Sequence, residues 1–428
     1  MKLLLIREAN TIYRYNNTSY GLTLIGTLAK TVATVKIIDN NTIHKFYSFN
    51  DYQNIIKTFQ PDVIGFNVHA LNLLATSRTV ARVKARFPQI CLLGGGLHTF
   101  SAPEEVIALP FDIVVKGEAD ATIVPLLLAL RDHTRHADPH TFAIPPALEA
   151  RLTPIAGLNF HSGTRAKRID TGWPPLFTDL DSLPFIDYDL VNLEDYLKFP
   201  GDDQYVTNVL ITQRGCPYQC SFCQLPMPSM IKVREHSTEY KIALAEQIHD
   251  RYRPKHLTFY DNNFTLRKSS AIAFCSAYIN AGLHEKMSFS CQTNVVLAMD
   301  DELVGAMKKA HCTEVQLGVE RLSKRSLQRI KKNKNYDRIL DNIAMLNKYL
   351  IDVVVNCPIG MPFDDPELLA EESRLFEAII DRVKACSINT LLPAPGTEIY
   401  ALTKYRQWYL DPKIMAWTPS FYHLAYGY

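Results

Sequence analysis

Cys216, Cys220 and Cys223 stand in the spacing C-x-x-x-C-x-x-C within Arg214-Gly215-Cys216-Pro217-Tyr218-Gln219-Cys220-Ser221-Phe222-Cys223. The stretch directly follows the strand-like run Val209-Leu210-Ile211-Thr212. Three thiolates so spaced can hold a four-iron cluster, which is otherwise closed by four protein thiolates. No fourth cysteine lies nearby. The unique iron would therefore keep a position for an exogenous ligand, as catalytic metal sites do. Two plainer alternatives are structural zinc and three core thiols, the latter being what most free cysteines are. Zinc needs a fourth ligand at a recognisable distance, and no C-x-x-C pair or H-x-x-x-H follows at finger-like spacing.

The elements that must position this loop belong to a chain of 428 residues, 47% apolar and 21% charged, which implies a soluble globular protein of two or three domains. Forty-six basic residues against 44 acids give a net charge of +2, which offers no global field for nucleic acid or an anionic membrane. The apolar run Met1 to Glu8 is too short for a signal segment, and no stretch reaches the length of a membrane span. A cytoplasmic protein is expected. Its nine cysteines would stay reduced there, favouring metal binding over disulfides.

Residues 1 to 135 alternate apolar strands with helices, which predicts a doubly wound, Rossmann-like parallel sheet. Such sheets bind ligands at the carboxyl ends of their strands. Those ends carry Asn67-Val68-His69, Gly94-Gly95-Gly96-Leu97-His98 and Gly117-Glu118. Glycines there allow close approach of a ligand to the backbone, although three in succession also make a simple turn. His69 and His98 fall on the same rim, as ligand contacts or as surface or hydrogen-bonded core histidines.

Residues 136 to 204 read as a linker with a hairpin at Gly157–Phe160 and Ala166–Ile169. From 205 to 400, six strand-then-helix units are expected, with strands at 208–213, 256–260, 287–293, 313–319, 352–358 and 385–391. Six units make a partial barrel. Residues 401–428 form a short aromatic extension that could cap the barrel bottom or help close a substrate chamber. Alternation along the strands places Ser288, Ser290, Gln292, Glu314, Gln316, Glu320, Asp352, Asn356, Ser387 and Asn389 on one face, and Cys291, Cys357 and Cys386 on the other. A polar lumen suits either a ligand chamber or a self-satisfied network, since unpaired buried polar groups are costly. Cys275 and Cys312 are assigned to packing with the outward cysteines, so one cluster only is expected.

The cysteine spacing, the Gly-Cys-Pro sequence and Phe222 before the third cysteine together resemble the radical S-adenosylmethionine (radical SAM) superfamily. The resemblance implies one 4Fe-4S cluster on Cys216, Cys220 and Cys223, with SAM on its open iron. Phe222 would line the adenine. Tyr260-Asp261-Asn262 resembles the segment that receives the methionyl amino group, and Gly318-Val319-Glu320-Arg321 the ribose-binding motif. Gly360 in Ile359-Gly360-Met361-Pro362 and Pro395 in Pro393-Ala394-Pro395-Gly396 look like adenine-side elements, and Gln292 belongs to the same lumen.

The first domain resembles the cobalamin-binding domains found upstream of many radical SAM domains, which makes Asn67, His69, Gly95, Gly96, His98, Gly117 and Glu118 candidate cobalamin contacts. The chain departs from the better-known members after its first strand. Glu8-Ala9-Asn10-Thr11-Ile12-Tyr13 lacks their axial histidine. Some relatives keep this domain without using cobalamin.

This resemblance, to class B radical SAM methyltransferases, implies methyl transfer to an unactivated carbon or phosphorus of a small molecule. A 5′-deoxyadenosyl radical would abstract hydrogen, and a flavodoxin or ferredoxin would supply electrons. Rearrangement, cyclisation or deoxygenation occur in the same architecture. A non-catalytic iron-sulfur or cobalamin sensor would show a recognition helix or charged tail, and none is present. A methylthiotransferase would carry further amino-terminal cluster cysteines, whereas only Cys91 precedes the motif.

Overall fold

The structure is a computed structural model that describes residues 1–10, 18–134, 140–163, 167–196, 210–224, 231–332, 336–391 and 393–402. The chain forms two compact units, Met1–Pro200 and Gly201–Tyr428. The expected aromatic extension lies outside the described residues from 403 onward, as does the start of the expected strand at 208.

In the first unit the order is β1 (Lys2–Arg7), α1 (Tyr20–Ala29), β2 (Thr34–Asp39), α2 (Phe49–Phe59), β3 (Val63–Asn67), α3 (Leu73–Arg86), β4 (Cys91–Gly95), α4 (Leu97–Ser101), α5 (Pro103–Ile107), β5 (Ile113–Val115), α6 (Ile123–Thr134), α7 (Pro146–Leu152), β6 (Leu158–Ser162) and β7 (Lys167–Asp170). The strands make one sheet in the order β2-β1-β3-β4-β5-β6-β7. The first five are parallel, and the hairpin β6–β7 adds two antiparallel strands beside β5.

Period-two alternation explains why both faces are covered. Leu3, Leu5, Val63, Cys91, Leu93 and Ile113 face one apolar layer, while Leu4, Ile6, Ile64, Phe66, Leu92 and Val114 face the other. Burying both faces of a parallel sheet requires helices on both sides, the doubly wound arrangement.

The second unit holds β8 (Gln213–Arg214), β9 (Arg234–Glu235), α8 (Thr238–Tyr252), β10 (His256–Phe259), α9 (Lys268–Asn280), β11 (Ser288–Asn294), α10 (Asp301–Lys309), β12 (Cys312–Gly318), α11 (Lys324–Arg329), α12 (Tyr336–Lys348), β13 (Asp352–Ile359), α13 (Pro366–Glu377) and β14 (Ala385–Thr390). Strands β10 to β14 form a parallel sheet in chain order, and Leu210 adds a parallel bridge to Phe259. Helix starts are fixed by side-chain caps: Ser237 accepts from the Tyr240 N–H, Asp300 from Leu303, Ser323 from Ser326 and Asp365 from Leu368.

On the outer face of this sheet Phe259, Phe264, Phe274 and Phe289 pack edge to face or tilted, with ring centroids 5.2 to 6.0 Å apart. Cys275, Cys291, Cys312 and Cys357 are buried and Cys386 half-buried, and all five thiols are free. Among the described residues no helix is long and apolar enough to cross a membrane.

Candidate active site

The three cysteines lie on the loop that leaves β8, each half-buried and free. Backbone contacts fix the loop from three sides. The Cys223 N–H donates to the Cys220 carbonyl (3.1 Å), the Ser221 N–H to Ile330 (3.1 Å), and the Ile399 N–H to Ser221 (3.2 Å). The Gln224 amide donates to the Pro395 carbonyl at 3.1 Å, which brings buried Pro395 to the loop's end. Burial pushes the Cys216 thiol up and that of Cys220 up to about 11, while the Lys332 charge pulls both back. Iron coordination would remove those protons outright, so the donor set suits a thiolate-bound metal group. Among the described residues no three His, Cys, Asp or Glu side chains converge as ligands of one ion would. A cubane asks for no such convergence, since its thiolates bind different irons.

Asp261 turns its carboxylate into the fold. Its buried carboxylate accepts from the Thr212 hydroxyl (2.6 Å) and from the N–H groups of Thr212 and Gln213 (2.8 Å for the latter). The acid thus ties the end of β10 to the run entering the cysteine loop. Burial pushes its pKa up to about 6 against those hydrogen bonds. Asn262 beside it is exposed. Tyr260 receives the Leu210 carbonyl as partner of its N–H (2.8 Å), and its own carbonyl accepts from the Gln292 amide at 3.2 Å.

Glu320 follows β12 in the left-handed region (φ 63°), a costly conformation for a side-chain-bearing residue and one that concentrates at functional sites. Its N–H donates to the Asn356 carbonyl (2.7 Å), linking the ends of β12 and β13. Its carboxylate accepts from Lys332 at 2.8 Å, and the Lys332 ammonium lies 6.0 Å from the Phe222 ring centre. Phe222, Glu320 and the cysteine loop are thus neighbours. Lys332 was not foreseen, because it follows an irregular turn with no periodic signal. Next to Glu320, buried Arg321 donates to both oxygens of Asp364 (2.6 and 2.9 Å), and Asp364 in turn accepts from the N–H groups of Gly360 and Met361 (2.8 and 2.9 Å). This relay holds the Gly360 turn.

The lumen face is polar, and many of its side chains pair with one another. His256 joins the hydroxyls of Ser288 (2.8 Å) and Ser290 (2.9 Å), Gln316 donates to Asn356 (3.0 Å), and Lys384 pairs with Glu314 (3.0 Å) and Asp352 (2.8 Å). All of these but Asn356 line a cavity of 590 Å³ that lies mostly at the starting ends of β10 to β13 and reaches Tyr260 and Gln292.

In the first unit the rim residues divide. Gly95 and Gly96 close β4 onto the next strand: the Val68 N–H donates to the Gly95 carbonyl (2.6 Å). Gly96 has φ 111°, and a Cβ there would lie 2.7 Å from the Val68 carbonyl oxygen, so only glycine fits. Asn67 sits beside it, its carbonyl accepting from Asn72 at 2.9 Å. His69 is largely enclosed, and burial, with the Arg7 and His98 charges, pushes it down to about 3. It is a neutral imidazole. His98 is turned inward, fully buried, with Nε2 3.0 Å from Glu105 Oε2; the fold makes it a core histidine. Gly117 is buried under Pro174, and Glu118 is half-buried.

A cobalamin at this rim would present carboxamides, and the residues fit. Buried Asn10 has neither side-chain amide atom paired among the described residues, and the Asn41 amide nitrogen is likewise unpaired. The Asn41 oxygen already accepts from the Asn10 N–H at 2.8 Å. Orphaned buried amides are expensive, and a polar ligand would satisfy them.

Residues 210–375 match the radical SAM superfamily. An uncharacterized methyltransferase of Pyrococcus horikoshii is 26% identical over 383 residues, 89% of this chain and 77% of the relative. An anaerobic magnesium-protoporphyrin IX monomethyl ester cyclase of Cereibacter sphaeroides is 25% identical, over 75% of this chain; the match spans 50% of that protein's length. Among solved structures, the radical SAM methyltransferase TsrM of Kitasatospora setae, with cobalamin and a [4Fe-4S] cluster bound, superposes with a TM-score of 0.70 at 15% identity, covering 93% of this chain and 74% of TsrM. The shared architecture is a doubly wound domain ahead of a radical SAM domain. The matched segment contains the three-cysteine loop, so residues 210–375 form a radical SAM domain.

Proposed function

We propose that this protein is a cobalamin-dependent radical SAM methyltransferase acting on an unactivated carbon, or a phosphorus, of a small polar molecule. The observation that carries the reading is the half-buried trio Cys216, Cys220 and Cys223, held next to Phe222 and the strained Glu320. When bound, the cluster supplies the electron that cleaves the sulfonium carbon–sulfur bond of SAM, and the corrinoid supplies the methyl group.

The chain's own residues bind and orient. Cys216, Cys220 and Cys223 would hold the cluster, whose remaining iron would be open to the amino and carboxylate groups of SAM. Glu320 accepts from the ribose hydroxyls, which asks it to share or exchange Lys332. Phe222, the Gly360 turn and Pro395 flank the adenine. Asp261 acts through the backbone of Thr212 and Gln213, steadying the loop rather than touching SAM. Fixed geometry and exclusion of water keep a primary carbon radical from being quenched. On the first domain, Asn67, His69, Gly95 and Gly96 would meet the corrinoid, with Asn10 and Asn41 as amide partners.

The polar side chains of the lumen suit a small hydroxyl-, amide- or carboxylate-bearing substrate. A one-electron donor of the flavodoxin or ferredoxin class completes the system. The cyclase relative favours a second reading, radical cyclisation without methyl transfer. Anaerobically reconstituted protein with SAM, reductant and candidate substrates separates the two. Methyl transfer yields 5′-deoxyadenosine and S-adenosylhomocysteine together, whereas cyclisation yields no S-adenosylhomocysteine.

A further inference from the structure

Lys332 has no place in the sequence-derived site, yet its side chain is only 6% exposed beside the cysteine loop. The fold makes room for it. A Cβ on Gly318 would lie 2.9 Å from the Lys332 ammonium and 3.1 Å from Glu320 Oε1, so the glycine before the strained Glu320 leaves the groove in which the pair sits. The backbone holding Lys332 is itself fastened to the loop. The Lys332 N–H donates to Leu327 (3.1 Å), and Ile330, two residues earlier, accepts from Ser221 (3.1 Å), which lies between Cys220 and Phe222.

Enclosing an ammonium costs several kcal/mol, and a partner carboxylate repays this only in part. Both members of the pair sit beside the loop: the Lys332 ammonium lies 6.0 Å from the ring centre of Phe222, which stands between Cys220 and Cys223, and 2.8 Å from Glu320.

We propose that Lys332 is a positioning residue that sets the reduction potential of the cluster held by Cys216, Cys220 and Cys223, with Glu320 attenuating its charge. This rests on the radical SAM reading of the same site. Adding one electron to a thiolate-bound cluster adds one negative charge, and a fixed ammonium beside the cysteine loop stabilises the reduced form over the oxidised. No bond is made or broken in this step. The electron comes from a one-electron donor of the flavodoxin or ferredoxin class, or from dithionite in vitro.

The test is a redox titration of the reconstituted cluster in the full-length protein without SAM, followed by electron paramagnetic resonance. Lys332→Met is expected to shift the midpoint to more negative potential, Lys332→Arg to hold it near wild type, and Glu320→Gln to shift it positive by unmasking the ammonium. A structural role alone would not give shifts of opposite sign. Unchanged midpoints, or shifts of one sign in Lys332→Met and Glu320→Gln, overturn the proposal. A Lys332→Met protein that weakens SAM binding without moving the SAM-free midpoint also overturns it, in favour of a contact to SAM. Should Lys332→Met fail to load a cluster, the sign of the Glu320→Gln shift decides. Failure of the wild type to load a cluster would instead sink the radical SAM reading, a separate result.

Discussion

The Asp261 carboxylate grips Thr212 twice, through the hydroxyl at 2.6 Å and through the backbone N–H, so that the end of one barrel strand holds the approach to the cysteine loop. Removing the acid strands three donors. Asp261→Ala should destabilise the second unit by about 3 kcal/mol and lower iron retention after reconstitution, measured by denaturation and by iron content per chain.

The same acid gives a pH signature. Burial raises its pKa from 3.8 to about 6, so between those values the folded chain keeps a proton that the unfolded chain has released. Its contribution to stability is full below pH 3.8 and is lost as pH rises through about 6. Asp261→Asn should flatten that segment of the curve of unfolding midpoint against pH, and an unchanged slope would show that the acid is not buried as described.

Asn10 separates ligand from fold. Its amide atoms are buried and unpaired among the described residues, so Asn10→Leu should leave the cobalamin-free protein as stable or more so, because an unsatisfied polar group is replaced by an apolar one of similar shape. Cobalamin affinity should fall about tenfold, the equivalent of one lost hydrogen bond of roughly 1.4 kcal/mol. Calorimetry and equilibrium dialysis read the two effects independently.

Neighbouring glycines should respond unequally. Gly96→Ala forces a Cβ to 2.7 Å from the Val68 oxygen at φ 111°, and a cost of about 1–3 kcal/mol is expected. At Gly95 the nearest atoms lie 4.0 Å away, so Gly95→Ala should cost less than about 1 kcal/mol. Thermal unfolding of the two variants side by side checks the difference.

Arg321→Met should cost about 3 kcal/mol, because it leaves Asp364, 7% exposed, as a buried acid without its cation. Asp364 also holds the Gly360 turn, so SAM affinity should fall with stability. Arg321→Lys should recover part of both, since one ammonium replaces the planar fork imperfectly.

Much of this architecture was legible because burial imposes period. The runs Leu3 to Ile6 and Val63 to Phe66 fill two apolar layers alternately, and Ser288, Ser290 and Gln292 line the lumen opposite Phe289 and Cys291. The hairpin Leu158–Ser162 with Lys167–Asp170 was legible from its turn, but its pairing with β5 was not, since edge addition depends on a partner far along the chain. The site was legible where chemistry dictates spacing, at the cysteines. It was not where two segments meet: Lys332 reaches Glu320 across α11, Asp261 turns toward Thr212, and His98 turns inward to Glu105. No local pattern encodes such meetings.

The central claim is that Cys216, Cys220 and Cys223 hold a cluster whose open iron takes SAM. Its most direct measurement is iron and sulfide content together with reductive SAM cleavage, made anaerobically on wild type and on each cysteine-to-serine variant. The account predicts about four irons and four sulfides per wild-type chain, with 5′-deoxyadenosine formed, and loss of that product in every variant. A wild type that binds no iron-sulfur cluster, or any one variant that still cleaves SAM at the wild-type rate, would contradict it.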